Sequence, residues 1–118
     1  MIKKSSHDRG KQGERFAREF LEKKGWRVIE ENYRYRRNEV DLIAQYGSLL
    51  VFVEVKLRRN AAFGYPETFV DEGQAQRIAT AAEHYLHRTD WEGNIRFDIV
   101  AITLQPNLRI EHFEDAFG

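Results

Sequence analysis

Two apolar runs separated by a Gly-Ser pair constrain this chain more than any other feature. Glu39-Val40-Asp41-Leu42-Ile43-Ala44-Gln45-Tyr46 leads into Gly47-Ser48 and then Leu49-Leu50-Val51-Phe52-Val53-Glu54-Val55-Lys56. Strand formers on both sides of a two-residue turn signal predict a β-hairpin. The second run is apolar on both faces, so it belongs in the middle of a sheet with cover on each side. With Tyr46 opposite Leu49, the register carries Asp41 to face Glu54 and Glu39 to face Lys56. Side chains alternate along a strand, so Asp41, Glu54 and Lys56 fall on one face. Opposed acids among Leu, Val and Phe repel each other and lose hydration unless something positive lies between them. A divalent metal is the obvious candidate.

The rest of the chain supplies one domain around that hairpin. A length of 118 residues suits a single core, and 42% apolar with 13% aromatic residues argues for a folded globule. Residues 1–7 read as a flexible arm and 8–118 as the domain. Helical spacing of Glu14, Ala17, Arg18 and Leu21 predicts a first helix over 8–24, ended by Gly25. A short strand over 26–31 and a polar connection over 32–38 follow. After a loop containing Gly64, Tyr65 and Pro66, the spacing of Ala75, Ile78, Ala79, Ala82 and Leu86 predicts a second helix over 71–87. Strands over 96–104 and 108–113 complete the order α-β-β-β-α-β-β. Strand-helix-strand after the hairpin implies a parallel crossover, hence a mixed central sheet flanked by helices.

Composition narrows the partners. Nineteen basic residues balance nineteen acidic ones, so polyanion binding must come from local clustering. There is no cysteine, which excludes disulfides and thiolate metal sites and suits a cytoplasmic setting. No window approaches the length of a membrane span. Two clusters of arginine, Arg34, Arg36 and Arg37 interleaved with Tyr33 and Tyr35, and then Arg58 with Arg59, flank the acids in chain order. Such mixtures grip phosphates and stack on bases, although a charge run is more often a solvated surface.

The chemistry available is that of a hard cation. Mg²⁺ takes carboxylate and carbonyl oxygens and acts with phosphates. Asp41 and Glu54 would supply acids, the Val55 carbonyl a third oxygen, and Glu14 a further acid if the first helix crosses this face. A metal so held polarises a phosphoryl oxygen and activates water, with Lys56 beside it, which fits phosphodiester hydrolysis.

Gly13-Glu14, Asn38-Glu39-Val40-Asp41-Leu42-Ile43-Ala44, Val51-Phe52-Val53-Glu54-Val55-Lys56-Leu57-Arg58, Phe63-Gly64 and Arg96-Phe97-Asp98 together resemble the YraN-like family of uncharacterised bacterial proteins. That family looks like a branch of the PD-(D/E)xK nucleases, which have the restriction-endonuclease-like fold and include Holliday junction resolvases. The resemblance implies Mg²⁺ or Mn²⁺ as cofactor and DNA, including branched DNA, as substrate. It assigns Asp41 to the first acid of the motif, Glu54 and Lys56 to its (D/E)xK element, and Glu14 to the acid on the preceding helix. It also gives Asp98 a supporting role. The chain departs from the family at Asn38, where Gly is frequent, and at Gln74, where Lys is frequent and a phosphate contact is lost.

Each residue also has a plainer reading. Asp41, Glu54 and Lys56 would form a structural ion pair at a strand end, and Glu14 would answer the helix dipole. Glu39 opposite Lys56 reads first as a cross-strand ion pair and second as a support for that lysine. The domain as a whole could instead be a nucleic-acid-binding module that cuts nothing, or a protein-binding adaptor. Symmetric cutting of a junction would require a homodimer. His7, His84, His87 and His112 lack metal-ligand spacing and receive no role.

Overall fold

The computed structural model describes residues 6–60 and 70–117, with side chains from residue 10 onward. The chain runs α1 (Ser6–Lys23), β1 (Arg27–Tyr35), β2 (Asn38–Tyr46), β3 (Leu49–Arg58), α2 (Glu72–Thr89), β4 (Asn94–Thr103) and β5 (Arg109–Phe113). The five strands form one sheet in the order β1-β2-β3-β4-β5. Only β3 and β4 are parallel, from Leu49 opposite Asn94 to Arg58 opposite Thr103. The expected crossover, the mixed sheet and the central place of β3 are all present.

Gly47-Ser48 closes the main hairpin, with Tyr46 opposite Leu49 and Leu42 opposite Val53. The first strand is longer than expected, reaching Tyr35 instead of ending at Glu31. Tyr33 and Tyr35 are good strand formers, and both find aromatic partners on α2, so packing extends β1 through what looked like a polar connection. Only Arg36 and Arg37 remain as the turn, Arg36 at φ 59°, and Tyr35 pairs with Asn38 across it. Of the segment read as an arm, residues 1–5 lie outside the described residues and Ser6 and His7 begin α1. The loop with Gly64, Tyr65 and Pro66 also lies outside them.

α1 ends where Gly25 adopts φ 91°. The Gly25 N–H donates to the Glu22 carbonyl and the Trp26 N–H to the Leu21 carbonyl, closing the orphan carbonyls of the last turn. Trp26 and Leu21 then enter the same core cluster. At the other end of the molecule Asp71 caps α2, its carboxylate accepting from the Gln74 N–H at 2.7 Å.

Each face of the sheet has its own core. Ala17 and Leu21 of α1 pack on Leu42, Ala44, Val51, Val53, Val100 and Ile102. Ile78, Ala81, Ala82 and Tyr85 of α2 pack on Val40, Ile43, Leu50 and Phe52 on the opposite face. Burying one such side chain as large as Phe52 contributes about 1.5–3 kcal/mol. α1 comes close to β3 because residue 13 is glycine: a Cβ there would lie 3.2 Å from the Leu57 Cβ and 3.5 Å from a Val55 methyl. Gly13→Val should therefore lower stability by about 1–3 kcal/mol through overpacking, read as a lower urea midpoint at unchanged slope. An unchanged midpoint would show that α1 has room to retreat. Among the described residues no helix is long and apolar enough to cross a membrane.

Candidate active site

The antiparallel ladder between β2 and β3 runs no further than Leu42 and Val53. Beyond that point the Asp41 carboxylate does what main chain does elsewhere: its Oδ2 accepts the Val55 N–H at 2.8 Å. Here the sheet also departs from simple alternation. Val40 packs with the α2-side core whereas Leu42, two residues on, packs with the α1-side core, so β2 turns over at Asp41. On the neighbouring strand Asn32, at φ 52°, makes the matching change between Glu31 and Tyr33. Asn tolerates that conformation better than most residues. Asp41 consequently lies between the two faces and meets acids from both.

From the α1 side come Glu14 and Glu39. Carboxylate oxygens of Glu14, Glu39 and Asp41 all lie within 4.8 Å of one another. The Asn32 Nδ2 donates to Glu14 Oε2 at 2.8 Å and fixes that side chain. From the α2 side comes Glu54, buried at 8% exposure. Lys56 Nζ lies 3.6 Å from Glu54 Oε1 and donates to Gln74 Oε1 at 3.1 Å. Gln74 in turn donates from Nε2 to Glu54 Oε1 at 3.0 Å, so one amide clasps both members of the motif. Its main-chain N–H is the one capped by Asp71, which ties the start of α2 to the site. A cleft of about 190 Å³ opens over these groups, lined by Arg37, Glu39, Asp41, Glu54, Gln74, Arg77 and Ile78.

The electrostatics follow from this crowding. Burial first, and then the neighbouring Glu54 charge, push the Asp41 carboxyl up to about 8, against the Val55 hydrogen bond that favours its ionised form. Glu54 is also raised by burial, opposed by Lys56. Glu14 is raised by burial, with the Asn32 bond opposing and Asp41 and Glu39 adding to it. Without a cation all three carboxyls hold their protons more tightly than they would in water. The donor set consists entirely of hard oxygens and fits a Mg²⁺- or Mn²⁺-like ion, with Asp41 common to both groups of acids.

Two expectations change. Glu39 does not pair with Lys56, because the ladder stops before that register is reached. It lies opposite Arg34 on β1, pairs with its guanidinium at 3.0 Å, and joins the acids of the site. Val55, expected to offer its carbonyl, also holds Asp41 through its N–H. Asp98 does not support this cleft. It is fully buried in a separate network, accepting from Arg96 at 2.8 and 2.9 Å, from His112 Nε2 at 2.6 Å and from the Asp115 N–H at 2.9 Å. Burial alone would push its carboxyl up, but the bonds from His112, Arg96 and Asp115 outweigh it and hold it below its ordinary range.

Of the basic residues, Arg37 lines the cleft and Arg34 and Arg36 stand on the adjoining hairpin. Arg58 donates to the Thr103 hydroxyl, and Arg59 is exposed past the end of β3. Arg77 was not anticipated. It sits three residues after Gln74 on α2, a spacing that puts both on one helix face.

A model of uncharacterised protein family UPF0102 matches residues 13–102, which contain every one of these acids and Lys56. The chain belongs to this family, the YraN-like family. A UPF0102 protein of Flavobacterium psychrophilum is 43% identical over 112 residues, covering 94% of each chain. One of Christiangramia forsetii is 42% identical over 109 residues, covering 92% of each. One of Geobacter sulfurreducens is 44% identical over 111 residues, covering 92% of this chain and 87% of its own.

Proposed function

We propose that this UPF0102 member is a divalent-metal-dependent nuclease with a restriction-endonuclease-like core of the PD-(D/E)xK type, acting on DNA phosphodiesters. The observation that carries the reading is the placement of Asp41. Its carboxylate is pinned by the Val55 N–H between Glu14 and Glu39 on one side and Glu54 on the other, with Lys56 3.6 Å from Glu54. A structural ion pair needs one acid per lysine, whereas here Lys56 answers Glu54 alone and the neighbouring Asp41 and Glu14 carboxylates have no cation of their own, at evident electrostatic cost.

Asp41, Glu54 and Glu14 would hold Mg²⁺ or Mn²⁺, with Glu39 able to join them. Such an ion supplies Lewis-acid polarisation of a phosphoryl oxygen and acidifies a bound water. The protein's own contribution is positional. Gln74 fixes the Lys56 ammonium beside Glu54, where its positive charge stabilises charge developing on the phosphate and its N–H groups orient the attacking water. Arg37 and Arg77 at the cleft mouth suit the phosphates on either side of the scissile one.

The test is to incubate the protein with supercoiled, single-stranded and branched DNA, with Mg²⁺ or Mn²⁺ and with EDTA. Metal-dependent cutting is expected, reduced about 10²–10³-fold by Lys56→Ala, the scale of losing one preorganised charge-stabilising group. Binding without cutting, unaffected by that substitution, would favour a non-catalytic nucleic-acid module instead.

A further inference from the structure

We propose that the Tyr35 ring is a stacking platform for an unpaired nucleobase, so that the substrate of this cleft carries a single-stranded segment. The proposal rests on the nucleic-acid reading above and deepens it by naming the strand state recognised.

Tyr35 stands at the end of β1, with its ring stacked on the His84 imidazole at 3.9 Å between centroids and 10° between planes. His84 is itself fixed, since its Nδ1 is hydrogen-bonded to the Tyr33 hydroxyl at 2.7 Å. A hydroxyl, an imidazole and a phenol therefore form a braced stack with its outer face directed away from α2. Over the Tyr35 ring lies the Arg36 guanidinium, 5.1 Å from the centroid, on an exposed turn residue. Among the described residues neither Arg36, Arg37 nor Arg77 has an ion pair with an acid, although the chain as a whole is neutral. A base can replace Arg36 on the ring while the guanidinium moves to the adjoining phosphate, exchanging one cation–π contact for stacking plus a charge-assisted bond.

Position makes the platform part of the cleft. Tyr35 pairs with Asn38, three residues before Asp41, which is about 10 Å along the strand. On α2, His84 follows Arg77 by seven residues, again about 10 Å. Hairpin and helix thus form two rails leading from the acids to the stack, with Arg77 between them on α2 and Arg37, on the turn beside Tyr35, lining the cleft. A base locked in a duplex presents only its edges to such a rail, whereas an unpaired base offers its face.

The test measures binding in EDTA, by fluorescence anisotropy, of a labelled oligo-dT, an abasic oligonucleotide of equal length and a blunt duplex. The wild-type protein should prefer oligo-dT to the abasic strand, and Tyr35→Ala should erase that preference through a roughly 5- to 100-fold loss of oligo-dT affinity. Tyr35→Phe should retain it. Equal binding of dT and abasic strands, tighter binding of duplex, or an unaltered Tyr35→Ala would each overturn the proposal. Preference for oligo-dT without any metal-dependent cutting would sink the nuclease reading alone and leave the platform standing.

Discussion

Asp41→Asn should abolish metal-dependent cutting and at the same time make the metal-free protein more stable at pH 8. Asp41 titrates near 8 when folded, against 3.8 ordinarily. Between those values the native state binds more protons than the unfolded one, so the free energy of unfolding falls as pH rises through the window. Its slope reaches about 1.4 kcal/mol per pH unit, and it levels off above the folded pKa. Burial-raised Glu54 and Glu14 tilt stability in the same direction. Asn keeps an oxygen for the Val55 N–H and offers Glu54 an amide donor, yet carries no charge to bury. Urea unfolding from pH 5 to 8 should show a decline for wild type and a much flatter line for the variant. Mn²⁺ should restore the wild type by about 2.7 kcal/mol at a hundred times its Kd and leave the variant nearly unmoved. A wild-type profile flat across this range would remove the electrostatic basis of the site.

The second large effect lies away from the cleft. Asp98→Ala should cost about 3–5 kcal/mol, because it leaves the Arg96 guanidinium and the 3%-exposed His112 without their shared acceptor. His112 also accepts from Lys24 Nζ at 2.9 Å, and the Asp115 N–H bonds Asp98, so the loss extends to the end of α1 and to the segment after β5. The pH dependence has the opposite sign to that of Asp41. With its pKa held low, Asp98 stabilises fully above 3.8 and loses that contribution as pH falls through the folded value. The combined contribution of Asp41 and Asp98 to the metal-free protein should accordingly be greatest near pH 3.8, where the two windows meet. A loss below 1 kcal/mol for Asp98→Ala would show that Arg96 and Glu114, 3.7 Å apart, suffice.

The parts of the architecture that follow from periodicity were readable in advance. β2 and β3 declare themselves by their apolar runs and Gly47-Ser48, and α2 by its helical stripe. Ending β1 at Glu31 failed because Tyr33 and Tyr35 are held by α2, a partner some fifty residues away that local composition does not reveal. Placing Glu39 against Lys56 failed for a different reason. A register count assumes an unbroken ladder, and the ladder breaks where the Asp41 side chain takes the Val55 N–H. The convergence of Asp41, Glu54 and Lys56 survives that break because they lie within two residues of it. Asp98 lies beside Arg96 on β4 and reads equally well as site or structure, until His112 and Asp115 arrive from the far end of the chain.

Asp41 draws its neighbours from both layers of helices, and this has a consequence for when the molecule becomes competent. Glu14 arrives with the first helix on one side, while the amide that steadies Glu54 and Lys56 arrives with the second on the other. A chain emerging during synthesis carries the acids before it carries the clasp, so on the proposed reading a molecule folded only through its first three strands would lack the amide that steadies Glu54 and Lys56.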